Sequence, residues 1–201
     1  SKEIVNRSKA GLFSPEDSLV AYYTQEQVLL AQRVLEVDDV GWSEKTLLVG
    51  FDLESNGKEA VPSTLGKVKG SLVNHFSIDS YDGYLRVATS ISDKWSHKIG
   101  DDELMVEKVA NSSSQISVLE FSGNELAVTG VTPEFGIGDE VSSTYFFGLM
   151  AFAISPEKNS VYAIDTSVTS NPQVTGVLRI DGLSHDTLIQ LIDDDYVLFL
   201  T

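Results

Sequence analysis

The chain has 201 residues, with 14 Lys and Arg against 30 Asp and Glu, a formal net charge of −16 and no cysteine. These numbers exclude a collagen-like chain, a disulfide-stapled mini-protein and a Cys-ligated zinc or iron–sulfur site. So acidic a surface also argues against nucleic acid, because phosphate binding needs Lys and Arg.

No apolar run is long enough for a membrane-spanning helix. The longest, from Tyr145 to Ile154, is interrupted by Gly148. No membrane insertion is expected. The opening Ser1-Lys2-Glu3-Ile4 has no apolar leader core, so a signal peptide is expected to be removed or never present.

In chain order, residues 14–25 open with Ser14-Pro15-Glu16-Asp17, which reads as a helix N-cap. Leu19-Val20-Ala21-Tyr22-Tyr23 suits a strand as well, and a strand is preferred there. Further strands are predicted over 27–35, 46–53, 66–69, 73–78 and 84–90. Others follow over 115–121, 125–131, 142–147, 149–154, 160–165, 174–180, 187–192 and 196–200. A short helix is a second candidate over 102–110. Turn chemistry separates the runs at Ser55-Asn56-Gly57, Asp82-Gly83, Ser122-Gly123-Asn124, Glu157-Lys158-Asn159 and Asp193-Asp194-Asp195. The class is all-β.

An internal repeat sharpens that class. Ala127-Val128-Thr129-Gly130-Val131 returns as Gln173-Val174-Thr175-Gly176-Val177, 46 residues later. Ser117-Val118-Leu119 aligns with Val161-Tyr162-Ala163, and Met150-Ala151-Phe152-Ala153 with Asp195-Tyr196-Val197-Leu198. An earlier copy is weaker: Leu48-Val49-Gly50-Phe51-Asp52 resembles Tyr162-Ala163-Ile164-Asp165 in character. Four short strands in about 45 residues is the blade of a β-propeller. About three four-stranded blades are visible, and residues 91–114 read as an insertion inside one blade, with a loop-like end at Asn111-Ser112-Ser113-Ser114. Residues 1–45 read as an N-terminal strand and loop region, part of a preceding blade, and 46–201 as the blades proper. Propellers close with 4 to 8 blades. The chain therefore reads as part of a larger propeller, with closure by another chain or an irregular β-sandwich as alternatives.

Leu72-Val73-Asn74-His75-Phe76-Ser77-Ile78-Asp79, followed by Tyr81-Asp82-Gly83-Tyr84-Leu85-Arg86-Val87-Ala88-Thr89, resembles a motif of the bacterial secreted β-propeller domain proteins, distantly WD40-like. Ser160-Val161-Tyr162-Ala163-Ile164-Asp165 and the segment Asn171-Pro172-Gln173-Val174-Thr175-Gly176-Val177 resemble later strands of that family. The chain departs at His75, where the family has Gln, and at Ser80, where it has Glu, and it lacks the WD dipeptide. The resemblance implies a propeller, export from the cell and no established enzymatic activity.

Sites for chemistry are sparse. Gly136-Ile137-Gly138-Asp139-Glu140-Val141 lacks the third glycine of a dinucleotide loop and reads as a turn. His75, His97 and His185 are isolated in sequence, and His75 reads as a core histidine in a strand beside Phe76. No catalytic residue and no metal ligand set is assigned, and no cofactor is expected, with calcium as the alternative left open. Asp38-Asp39, Asp79 with Asp82, Asp101-Asp102-Glu103, Asp139-Glu140 and Asp193 to Asp195 are the carboxylate clusters that calcium would need. Asp79 and Asp82 read as turn residues. Asn6 and Asn111 begin N-x-Ser sequons and are glycosylation candidates. Lys67, Lys69, Lys94 and Lys98 form no basic cluster, and Trp42 and Trp95 are expected to pack against blades or loops. The expected function is a non-catalytic extracellular or cell-surface module that binds a protein or glycan partner. The alternatives are a structural subunit of an extracellular assembly, associated with further blades or another chain, and a carboxylate-dependent hydrolase or lyase.

Overall fold

A computed structural model describes residues 19–24, 27–38, 41–53, 60–92, 94–99, 104–192 and 197–200. Every regular element among them is a β-strand. The first blade is the antiparallel meander β1 (Val20–Tyr23), β2 (Gln27–Asp38), β3 (Gly41–Leu53) and β4 (Ala60–Lys69). In the second, β5 (Ser71–Leu72) and β6 (Ile78–Tyr81) share one edge of β7 (Tyr84–Ile91). A separate hairpin, β8 (Lys94–Ile99) with β9 (Leu104–Ala110), follows β7. The second blade then resumes with β10 (Ser113–Ser122) and β11 (Glu125–Val131). The third blade is β12 (Ser143–Phe147), β13 (Met150–Ser155), β14 (Ser160–Asp165) and β15 (Gln173–Arg179). β16 (Leu188–Leu191) and β17 (Val197–Leu200) begin a fourth. A two-residue parallel contact joins β4 to β11, at Leu65 with Glu125 and Gly66 with Leu126.

The hydrophobic core explains why these sheets form. It lies in three layers, each between successive blades. Leu29, Ala31 and Leu48 of the first blade meet Ile78, Leu85, Val87, Leu119 and Leu126 of the second. Ala88 and Ile116 of the second meet Ala151, Ala153, Tyr162 and Ile164 of the third. Ile154 and Val161 of the third meet Leu183 and Ile189, with Val197 and Phe199 packed alongside. Side chains alternate across a strand. Val87 therefore serves one layer and its neighbour Ala88 the next. In β7, and over most of β10, both faces are buried, and apolar residues stand on both.

The repeated motif is a β-bulge. In the β10–β11 pair Val118 faces Gly130 and Leu119 faces Val128, which leaves Thr129 as the extra residue. In β14–β15 the extra residue is Thr175, and in β3–β4 it is Ser63. The Thr129 hydroxyl donates to Val118 O at 3.1 Å and the Thr175 hydroxyl to Ala163 O at 3.2 Å. The hydroxyl bonds a third-strand carbonyl where the ladder is interrupted.

Three local expectations are corrected. The strand expected over 73–78 is interrupted, because residues 73–77 leave the sheet in a turn. The helix expected over 102–110 is strand β9 over its described part. Residues 104–110 include the β-branched Val106 and Val109, and the neighbouring strand β8 completes their ladder. Ser113 and Ser114 are buried in β10, not in a loop. The turns at Ser55-Asn56-Gly57 and Asp193 to Asp195 lie outside the described residues, as do residues 14–18 and 25, half of the helix candidate over 14–25.

Candidate functional site

Successive blades are linked through their first strands. In β1 the Tyr22 hydroxyl accepts from Ser80 N of β6 at 2.9 Å. Asn74 Nδ2, just before β6, donates to Ser142 O, just before β12, at 3.2 Å. The Tyr145 hydroxyl of β12 donates to Thr187 O, just before β16, at 3.2 Å. A bonded series therefore runs through four consecutive first strands. Each of these strands pairs on one edge only among the described residues. This is the arrangement of inner strands around a propeller channel.

The turn before β6 is built by its own side chains. Ser77 Oγ accepts from Asn74 N at 2.9 Å, and Asn74 Oδ1 accepts from Phe76 N at 2.8 Å. Ser77 N donates to Asn74 O at 3.2 Å. Such Asn and Ser bonds compete with the ladder and win here. They push the two intervening residues outward. His75 is exposed, not in the core as expected, and Phe76 is 54% exposed. The two rings lie 3.9 Å apart. Phe76 also stacks on Tyr145, with centroids 6.4 Å apart and planes at 21°. Together they form an aromatic ledge on the inner edge.

The same turn recurs before β16. Thr187 Oγ1 accepts from Ser184 N at 2.8 Å, and Thr187 N donates to Ser184 O at 3.1 Å. His185 holds the place of His75 and is also exposed. The two histidines are thus equivalent, although they look isolated in sequence. The pattern Asn or Ser, His, any residue, Ser or Thr was the available signal.

Arg86 of β7 is 3% exposed. Its Nε donates to Asp79 Oδ2 at 3.0 Å, and Nη2 donates to the same oxygen. Nη1 reaches the third blade, donating to Gly148 O and, at 2.9 Å, to Thr166 Oγ1. Tyr81 and Phe146 each place a ring centroid 5.0 Å from the guanidinium carbon. Asp79 is therefore a strand residue paired with Arg86, not the turn residue expected. The turn is formed by Asp82 and Gly83, both at positive φ, as a tight hairpin requires. Burial first, and then the Asp79 charge, raise the Tyr22 phenol above its ordinary value.

Gly136-Ile137-Gly138 is a turn, with Asp139 N donating to Gly136 O at 3.0 Å. Lys158 Nζ caps the carbonyls of Ile137 at 3.2 Å and Gly138 at 3.1 Å. Asp139 is 3% exposed. Burial and the Asp139 charge raise the Tyr162 phenol. Lys67 pairs with Glu36 and Lys69 with Glu134 on the rim. Exposed pairs of this kind contribute little. Asn111 is exposed beside β10, whereas the sequon's Ser113 is buried and donates to Glu134 at 2.7 Å. Asn6, Asp39 and Asp101 to Glu103 lie outside the described residues, as do the side chains of Asp38, Trp42, Lys94, Trp95, His97 and Lys98.

A family profile described as a beta propeller domain matches residues 6–198. The chain belongs to this β-propeller family. Its propeller domain is 31% identical over 158 residues to an uncharacterized protein of Archaeoglobus fulgidus, covering 77% of this chain and 21% of that protein. It is 34% identical over 120 residues to the uncharacterized protein MJ1554 of Methanocaldococcus jannaschii, covering 59% of this chain and 17% of that protein. The propeller chain thus spans about a fifth of the length of these relatives. Both are archaeal, and neither name assigns an activity.

Proposed function

We propose that this β-propeller domain is a non-catalytic interaction module of the cell surface or extracellular space. It holds a protein or glycan partner against the His75–Phe76–Tyr145 ledge. The observation that carries this reading is the exposure of Phe76. Burying an apolar side chain of this size is worth about 1.5–3 kcal/mol, and here the turn bonds of Asn74 and Ser77 hold the ring out of the core. Exposed rings of this kind anchor interfaces. Export is consistent with the sequence resemblance, and Asn111 is the proposed glycan acceptor.

The purified domain and Phe76→Ala are compared on a glycan array and against cell-envelope proteins. Binding by the parent that the variant loses, at equal thermal stability, is expected. Turnover of a bound glycan or peptide would overturn a non-catalytic role. A second reading, a structural subunit of an extracellular assembly, is favoured by Leu188, Leu198 and Leu200. They share the exposed face of the β16–β17 pair.

A further inference from the structure

At one end of the blades the hairpin turns come together. Tyr23 and Val28 close β1–β2, and Gln27 pairs with Asp52 at the same end. Tyr81 and Tyr84 close β6–β7, and Tyr84 pairs with Glu120, beside the turn that Ser122 and Glu125 close. Phe147 and Met150 close β12–β13, and Met150 pairs with Asp165, where the loop to β15 begins. The ledge lies at the other end, since β6 runs from the Asn74–Ser77 turn to the turn at Asp82 and Gly83.

Hydrogen bonds join these turns into one surface. The Tyr22 hydroxyl holds Ser80 N, and Arg86 Nη1 holds Gly148 O. Thr166 N donates to Leu149 O at 2.8 Å, and Leu65 N to Asn124 O at 3.1 Å. Turns are ordinarily polar, yet this surface exposes Leu65, Tyr81, Leu149 and Val168, and Tyr23 is 70% exposed. Apolar groups gathered in this way mark an interaction surface.

Carboxylates stand between them. Asp52, Asp82, Glu120 and Glu125 are exposed, and among the described residues none is in a salt bridge. The Ser167 N–H donates to Asp165 Oδ1 at 2.8 Å and holds that carboxyl below its ordinary value, so it is ionised at neutral pH. Arg86 is the one cation of these hairpin ends among the described residues, and it is buried and already bound by Asp79. A second copy of this acidic chain, a nucleic acid or an anionic lipid surface would bring charge of the same sign, which an interface penalises.

We propose that this end of the blades docks a Lys- and Arg-rich segment of a partner protein. Its cationic groups meet the carboxylates, and its aliphatic stems lie along Tyr23, Tyr81 and Leu149. Tyrosine faces also attract the cations themselves. The surface is separate from the ledge and does not depend on what the ledge binds.

A fluorescent peptide repeating Lys, Leu and Gly is titrated into the 201-residue chain, beside the same peptide with Glu for Lys. The lysine peptide is expected to bind, more weakly as salt rises. Asp82→Asn with Glu125→Gln is expected to weaken it at least about tenfold. Asn tolerates the positive φ at position 82. Tyr23→Ser with Leu149→Ser is expected to weaken it at least about threefold. Glu157→Gln with Asp181→Asn removes the same charge at the other end of the third blade, beyond Ser160 and Arg179, and leaves the affinity unchanged. Circular dichroism melts confirm that each variant is folded, and the charge pairs alone decide the matter if the apolar pair is not. Equal weakening by both charge pairs would overturn the proposal, because net charge alone then explains binding. Full binding by a folded Tyr23→Ser, Leu149→Ser variant, equal binding of the glutamate peptide, or no binding of the lysine peptide at low salt would overturn it too. So would dimerisation of the parent that Leu149→Ser abolishes, which means a second copy.

Discussion

Asp79 and Arg86 face each other directly across the β6–β7 pair, and one carboxylate oxygen accepts from both Nε and Nη2 of the guanidinium. The remaining donor, Nη1, crosses to Gly148 and Thr166 of the next blade. A nearly buried cation is thereby balanced by its carboxylate, by carbonyl and hydroxyl oxygens, and by two ring faces. Arg86→Ala leaves Asp79 without its cation and opens the joint between two blades. The expected loss is about 3–5 kcal/mol, read from denaturant unfolding. Arg86→Lys recovers only part of it, because a point ammonium cannot reproduce the planar fork.

Tyr22 makes alkaline stability testable. Its phenol is raised, chiefly by burial and then by Asp79, so the folded state favours the neutral form. That contribution is complete below the unfolded pKa near 10 and fades as pH rises through the folded one. Tyr22→Phe removes the acceptor of Ser80 N, at a cost of about 1 kcal/mol at neutral pH. It also flattens the fall in melting temperature between pH 8 and pH 11. Tyr162, raised in the same sense, keeps part of that fall in the variant.

The two bulge threonines separate hydrogen bonding from exposure. Thr129 is half-buried and Thr175 is exposed, while their bonds have nearly equal length. Thr129→Val is expected to cost about 1 kcal/mol in urea unfolding, because Val118 O loses a partner that water replaces poorly. Thr175→Val is expected to cost less than about 0.5 kcal/mol, because water reaches Ala163 O.

The inserted hairpin is separable from the blade. Ile91 and Ser113 are cross-strand partners in the β7–β10 pair, so their backbones already lie side by side. Replacing residues 92–112 by an Asn-Gly turn bridges them with the geometry that a tight hairpin favours. Cooperative unfolding is expected to persist, with stability within about 1 kcal/mol of the parent. Scanning calorimetry checks this.

The strands 125–131 and 160–165 were legible residue for residue. The 46-residue repeat is legible too, as matching bulges at Thr129 and Thr175. Each rests on alternation, β-branched content and turn residues within a few positions. Those signals specify a blade, since a blade is made of neighbouring hairpins. The Asn74–Ser77 turn was missed because apolar Val73, Phe76 and Ile78 have strand character, and only the competing side-chain bonds reveal the exit. Arg86 lies within the motif at residues 81–89, yet its role depends on Gly148 and Thr166, which lie 62 and 80 residues away. The same holds for Gly130 and Gly176. They are indistinguishable in the repeat, and they differ only because a neighbouring backbone lies over one and not the other. Packing between blades joins residues remote in the chain, so tertiary structure alone decides which repeated residues are buried, which are exposed and which are latched.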